Sequence, residues 1–114
     1  PETGRSDKGF EIVLPEKMPT AFVCNNDGAA AMLVRTLENN GYKVPEDVSV
    51  VGYDNYLAPG LCDVGITTYE VDMKEMAKRA VKNMIRKISG DHYRQGMYIV
   101  NGRVVYKDSV ARRE

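Results

Sequence analysis

The chain has 114 residues, 43% of them hydrophobic and 28% charged, which is enough apolar material for one packed globular domain and too little length for two. Sixteen Lys and Arg balance sixteen Asp and Glu, so no overall basic field draws the chain onto nucleic acid or an anionic membrane. The longest apolar run, Ala29 to Val34, is far below the ~20 residues of a bilayer span, and no membrane partner is expected.

In chain order, the Pro- and Gly-punctuated segment 1–19 reads as an extended loop, with one alternating patch, Phe10 to Leu14, that fits an edge strand. Thr20 to Cys24 is a continuous apolar, β-prone run, predicted as a central parallel strand buried on both faces. Asp27 stands where a helix N-cap belongs. Ala30, Leu33, Val34 and Leu37 follow at helical spacing until Asn40-Gly41 stops the helix. Val48 to Tyr53 is a second buried strand, ending at Asp54, so strand, helix and strand predict a right-handed βαβ unit. A loop containing Pro59-Gly60 leads to a short third strand, Gly65 to Tyr69.

The next helix is the most regular segment. Met73, Met76, Ala77, Ala80, Val81, Met84, Ile85 and Ile88 form one stripe, and Lys74, Lys78, Arg79, Lys82, Arg86 and Lys87 form the other face. Asp72 with Glu75 reads as a capping box and Gly90 as the stop. The methionine stripe is expected to be core and the basic face solvated. Met97 to Val100 and Arg103 to Tyr106 flank Asn101-Gly102, which predicts a hairpin.

Cys24 and Cys62 form neither a CxxC pair nor a metal-ligand spacing, and the single His92 completes no zinc site or triad. Two small buried thiols in a cytoplasmic protein are the expectation, with no metal and no cofactor. No GxSxG, P-loop or GxGxxG occurs, so no catalytic machinery is visible and the chain is not expected to be an enzyme.

Ligands of open parallel sheets bind beyond the carboxyl ends of the strands, where this sequence places Asn25-Asn26-Asp27 and Tyr53-Asp54-Asn55. A carboxylate accepting from hydroxyls, an amide that donates and accepts, and an aromatic face suit a neutral polyhydroxyl ligand. Spacing alone favours the plainer reading, in which these residues turn and cap the chain.

Pro19-Thr20-Ala21-Phe22-Val23-Cys24-Asn25-Asn26-Asp27, then Val44-Pro45-Glu46-Asp47-Val48-Ser49-Val50-Val51-Gly52-Tyr53-Asp54-Asn55, then Ile66-Thr67-Thr68, resemble the ordered blocks of the lactose-repressor/galactose-repressor family of bacterial transcription regulators. The resemblance extends from Pro19 to about Val110. It implies a type I periplasmic-binding-protein fold, a parallel sheet flanked by helices, with residues 20–114 as the C-terminal portion of the effector-binding domain plus a crossover helix. It also implies a small-molecule effector, often a sugar, held between two lobes. A homodimer that binds operator DNA through an upstream helix-turn-helix is a further implication, and a start at Pro1 without Met fits a missing upstream part.

Matched residue by residue, Asn26, Tyr53 and Asp54 fall on effector-contacting positions, while Asp27 is kept as a cap. Val71 falls where many relatives have a Gln that reaches the ligand. Met32, Leu61 and Cys62 fall on elements that usually form the dimer seam, the helix after Asp27 and the loop from Tyr56 to Val64. The competing expectation is a sugar receptor of an ABC importer sharing the fold; a helix-turn-helix upstream would decide for the regulator and a secretory signal for the receptor.

Overall fold

The computed structural model describes residues 2–6, 9–57, 60–91 and 96–113. They form two compact units, one made of the residues up to Glu70 together with Val104 onward, the other running from Val71 to Arg103.

The first unit opens with an antiparallel hairpin, β1 (Glu2–Ser6) and β2 (Gly9–Val13). The edge strand expected near Phe10 is present as β2, and its partner β1 had no legible pattern. Ile12 of β2, and Leu14 and Met18 after it, pack on the core. β3 (Ala21–Val23), α1 (Asp27–Asn39) and β4 (Ser49–Val51) follow, with β3 and β4 parallel and in register, Phe22 opposite Val50. The helix lies between the two strands in sequence, as the βαβ pattern requires.

Ala30, Leu33, Val34 and Leu37 of α1 close over Phe22, Val44, Val48, Val50 and Ile66. Leu33, Val34, Leu37 and Val50 are at most 1% exposed. Each such side chain contributes about 1.5–3 kcal/mol through burial, so this cluster is the stabilising centre of the unit. The expectation that β3 is buried on both faces is corrected: Phe22 faces the core, but Val23 is 84% exposed. Among the described residues nothing layers the outer face of the strand.

β5 (Thr68–Glu70) pairs with β6 (Arg103–Val105), and isolated parallel bridges join Val51 to Thr67 and Asp54 to Glu70. The C-terminal segment is bonded along β4. Val50 N donates to Ser109 O at 2.9 Å, the buried Ser109 hydroxyl donates to Val50 O, and Thr67 N donates to Ser109 Oγ at 2.8 Å. One small hydroxyl thus satisfies groups on two strands that would otherwise be buried unpaired.

The hairpin expected at Asn101-Gly102 does not form. A two-residue type I′ turn needs positive φ at both central residues, and neither is among the positive-φ residues of the chain. Met97 to Val100 is not a strand, Met97 and Ile99 are more than 80% exposed, and β6 takes β5 as its partner instead.

The second unit is dominated by α2 (Met73–Ser89), capped by Asp72, whose carboxylate accepts from Glu75 N at 3.0 Å, and ended by Gly90 at φ 76°. Only half of the expected capping box is observed, because the Glu75 carboxylate turns to Arg79 at 3.0 Å. The Arg79 guanidinium also lies 5.5 Å from the Tyr98 ring centroid. The helix is where the sequence places it, but its methionine stripe is not core. No residue of α2 is buried, and Met73, Met76 and Met84 are about half exposed. A groove of about 530 Å³ runs along Ala77, Val81 and Ile85, and among the described residues only those of α2 line it.

Candidate functional site

The parallel pairing of β3 with β4 brings their carboxyl ends together. Cys24 N donates to Val51 O at 2.8 Å, and Asp27 N donates to Tyr53 O at 2.9 Å. The segment Asn25 to Asp27 therefore lies against Gly52 to Asp54, and Asn26, Tyr53 and Asp54 share one end of the sheet.

Asn26, not Asp27, is the N-cap of α1. Its backbone is extended, with φ −158°, and its Oδ1 accepts from Ala29 N at 2.7 Å. That bond fixes the side chain and leaves the amide NH₂ as a donor at the sheet end. Asp27 is the first helical residue. It is fully buried, and neither carboxylate oxygen has a hydrogen-bond partner among the described residues. It packs against the backbone of Gly52 so closely that a Cβ there would lie 2.1 Å from Asp27 Oδ1. Gly52 thus lets the β4 end approach the start of α1, a reason for glycine that the sequence pattern does not reveal.

Tyr53 is about half exposed and stacks on Tyr69, with ring centroids 5.6 Å apart and planes 14° from parallel. The two rings form an aromatic platform at the sheet end. Asp54 and Asn55 both adopt positive φ, 89° and 53°. Asp54 Oδ1 accepts from Tyr56 N at 2.9 Å, closing a local turn, and Asp54 N donates to Tyr69 O at 2.9 Å. Oδ2 of Asp54 has no partner among the described residues, so one carboxylate oxygen remains for another donor.

Around this turn, Glu70 and Lys107 are the two groups that carry no signal in the sequence. Asn55 Nδ2 donates to Glu70 Oε2 at 2.6 Å, Lys107 Nζ donates to Asn55 Oδ1 at 2.9 Å, and Asn55 N donates to Thr68 Oγ1 at 3.3 Å. Thr67 Oγ1 meanwhile accepts from Lys107 N at 2.9 Å. The Thr67-Thr68 pair gains a physical role: adjacent hydroxyls accept from two different segments. Glu70 and Lys107 lie 15 and 52 residues from Asn55, and no local pattern links them.

Val71 opens the second unit, where its carbonyl accepts from Met73 N at 2.9 Å. Met32 and Leu61 are exposed, at 42% and 52%, and Arg35 reaches the Leu61 carbonyl at 3.3 Å. Cys62 is partly buried against the core, and so is Cys24; both are free thiols. Burial pushes both thiols above the ordinary cysteine range. For Cys62, nearby Glu38 and Asp63 add to the shift, while a backbone bond from Val64 and the charge of Arg35 oppose it. His92 lies outside the described residues. No group of three or more His, Cys, Asp or Glu that could hold a metal ion occurs among the described residues, and no helix among them is long and apolar enough to cross a membrane.

Residues 3–110 match the periplasmic binding protein-like domain. The HTH-type transcriptional repressor PurR of Vibrio parahaemolyticus is 32% identical over 100 residues, 88% of this chain and 30% of that protein. The crystal structure of a LacI-type transcription regulator from Bifidobacterium animalis subsp. lactis superposes with a TM-score of 0.74 at 30% identity, covering 82% of this chain and 33% of that one. A LacI family regulator from Arthrobacter, solved in complex with lactose, superposes with a TM-score of 0.69 at 25% identity, covering 81% and 35%. The chain spans about a third of the length of these proteins, and all three are regulators rather than transport receptors. With its βαβ unit and the blocks around Asn26, Tyr53-Asp54 and Thr67-Thr68, the chain belongs to the periplasmic binding protein-like domain family, in the lactose-repressor/galactose-repressor branch.

Proposed function

We propose that the chain is the effector-sensing part of a cytoplasmic, homodimeric repressor whose affinity for operator DNA is set by a small polyhydroxylated metabolite. The observation that carries this reading is the sheet end itself. It holds an oriented amide at Asn26, an exposed aromatic ring at Tyr53 and a carboxylate with an open oxygen at Asp54. An amide and a carboxylate recognise vicinal hydroxyls, and an aromatic face covers the C–H face of a sugar ring. The lactose bound by the Arthrobacter relative supports this class of ligand. Val71, which the resemblance matches to an effector-contacting position, offers no hydrogen bond from its side chain.

The DNA contact belongs to a helix-turn-helix of the full-length protein, consistent with the neutral charge of this segment. Met32, Leu61 and Cys62 form part of the dimer seam in this reading, which accounts for the exposure of the apolar Met32 and Leu61 side chains. The domain performs no catalysis. It works by differential binding, because a ligand shifts an equilibrium only through its unequal affinity for the two states.

The test is operator binding by the full-length protein, measured across a lactose and monosaccharide dose series in wild type and Asp54→Ala. Loss of a charge-assisted contact of about 1.5–3 kcal/mol lowers effector affinity roughly ten- to a hundredfold, while operator affinity without effector stays near wild type. An unchanged dose–response in Asp54→Ala removes Asp54 from the site.

A further inference from the structure

Two consecutive non-glycine residues, Asp54 and Asn55, sit in the left-handed region at φ 89° and 53°. L-residues enter that region at a cost, and such strain persists only where the surroundings over-determine it. Here those surroundings are visible. The Asn55 amide is gripped at both ends, its NH₂ by Glu70 from β5 and its carbonyl oxygen by Lys107 from the C-terminal segment. The opposite flip would place the NH₂ against an ammonium and the oxygen against a carboxylate, so the charges dictate the orientation of the amide. The backbone is held as well: Asn55 N bonds to Thr68 Oγ1 and Asp54 N to Tyr69 O. Two chain segments, distant in sequence, converge on one side chain, and that side chain belongs to the immediate neighbour of Asp54.

We infer that Glu70, Asn55 and Lys107 form a charge-oriented brace that holds the Asp54–Asn55 turn and thereby aims the Asp54 carboxylate at the effector. The inference rests on the effector reading of Asp54 given above and adds positioning residues to it. Asn55, Glu70 and Lys107 act through Asp54 and need no contact with the effector. Because Asp54 Oδ1 is engaged by Tyr56 N, the direction of Oδ2 follows from the turn, and the turn follows from the brace. Asparagine suits position 55 twice over, as the residue that best tolerates left-handed φ after glycine and as an amide able to bond both charges.

The readout is hydrogen exchange at the Tyr56 amide, whose bond to Asp54 Oδ1 closes the turn, with the Leu37 amide in the core of the unit as the control for global unfolding. In the full-length protein, Lys107→Met and Asn55→Gly should each speed Tyr56 exchange by about tenfold or more while Leu37 is unchanged. Lys107→Arg should restore protection. Asn55→Gly separates brace from backbone permission, since glycine accepts the left-handed turn but lacks the amide. Protection of Tyr56 that survives both Lys107→Met and Asn55→Gly overturns the brace. Lactose titration of the same variants decides the effector reading separately. Faster exchange with weaker lactose binding supports both. Faster exchange in a protein whose wild type binds neither lactose nor any monosaccharide keeps the brace and removes the sugar reading. Unchanged exchange with lost affinity replaces the brace by direct effector contact.

Discussion

Helix α2 has the more regular apolar stripe of the two helices, yet Ala30, Leu33, Val34 and Leu37 on α1 are at most 1% exposed, whereas Val81, Met84, Ile85 and Ile88 on α2 are 56–78% exposed. The difference lies in what each helix meets. α1 is laid by the chain on two parallel strands and on Ile66, and it closes a core with them. α2, in a unit of its own, keeps its helix through local signals: an Asp72 cap, a left-handed Gly90, and the Glu75–Arg79 pair. Periodicity reports that a face exists. It does not report whether the same chain supplies the cover.

The largest effect expected from this contrast is in the core. Leu37→Ala should destabilise the first unit by about 2–5 kcal/mol, because it removes a fully buried side chain and leaves a cavity. Met84→Ala on the exposed stripe of α2 should change stability by no more than about 0.5 kcal/mol. Urea denaturation of the 114-residue chain, followed by circular dichroism, compares the two. Equal costs would show that α2 is covered after all, by a second copy or by the rest of the unit.

A smaller effect sharpens the other half of the contrast. If α2 depends on its ends, Asp72→Ala should weaken the helix by about 1 kcal/mol, the usual worth of an N-cap. Loss of helical circular dichroism and faster amide exchange at Glu75, the amide that Asp72 accepts from, are the expected signs. An unchanged Glu75 amide would mean that packing, not capping, holds the helix.

The smallest effect concerns the thiols. Burial raises the folded pKa of Cys24 and Cys62, so each binds its proton more tightly in the folded state. The associated stability is fully present below the pKa of an unfolded cysteine and is lost as pH rises through the folded value. At neutral pH both thiols should therefore react with a disulfide reagent more slowly than a free cysteine does, with the rate rising only in a more alkaline range. A rate at pH 7 matching that of a model thiol would contradict the burial.

Much of the first unit was legible from the residues because its signals are local. Apolar β-branched runs marked β3 and β4, and three- and four-residue spacing marked α1 and α2. What escaped depends on partners far away in sequence. The burial of Asp27 against Gly52, 25 residues on, could not be read from local spacing, and Asn26 rather than Asp27 takes the cap. The Asn101-Gly102 hairpin signal was genuine chemistry, but β6 found β5 as a better partner. Glu70 and Lys107 gave no signal at all, since each is an ordinary charged residue until the sheet brings it to Asn55. Resemblance to a known family singles out Asn26, Tyr53 and Asp54 as candidates where spacing alone favours turns and caps, and in the structure Asn26 does cap α1 and Asp54 does close a turn.

The central claim is that the joined ends of β3 and β4 are the effector wall, and amide chemical shifts during a lactose titration test it most directly. The perturbations should centre on Asn26, Tyr53, Asp54 and the Tyr69 platform, while α2 and the exposed face of α1 around Met32 stay still. Saturable shifts centred on the groove along Ala77, Val81 and Ile85, with Asn26 and Asp54 unmoved, would contradict it.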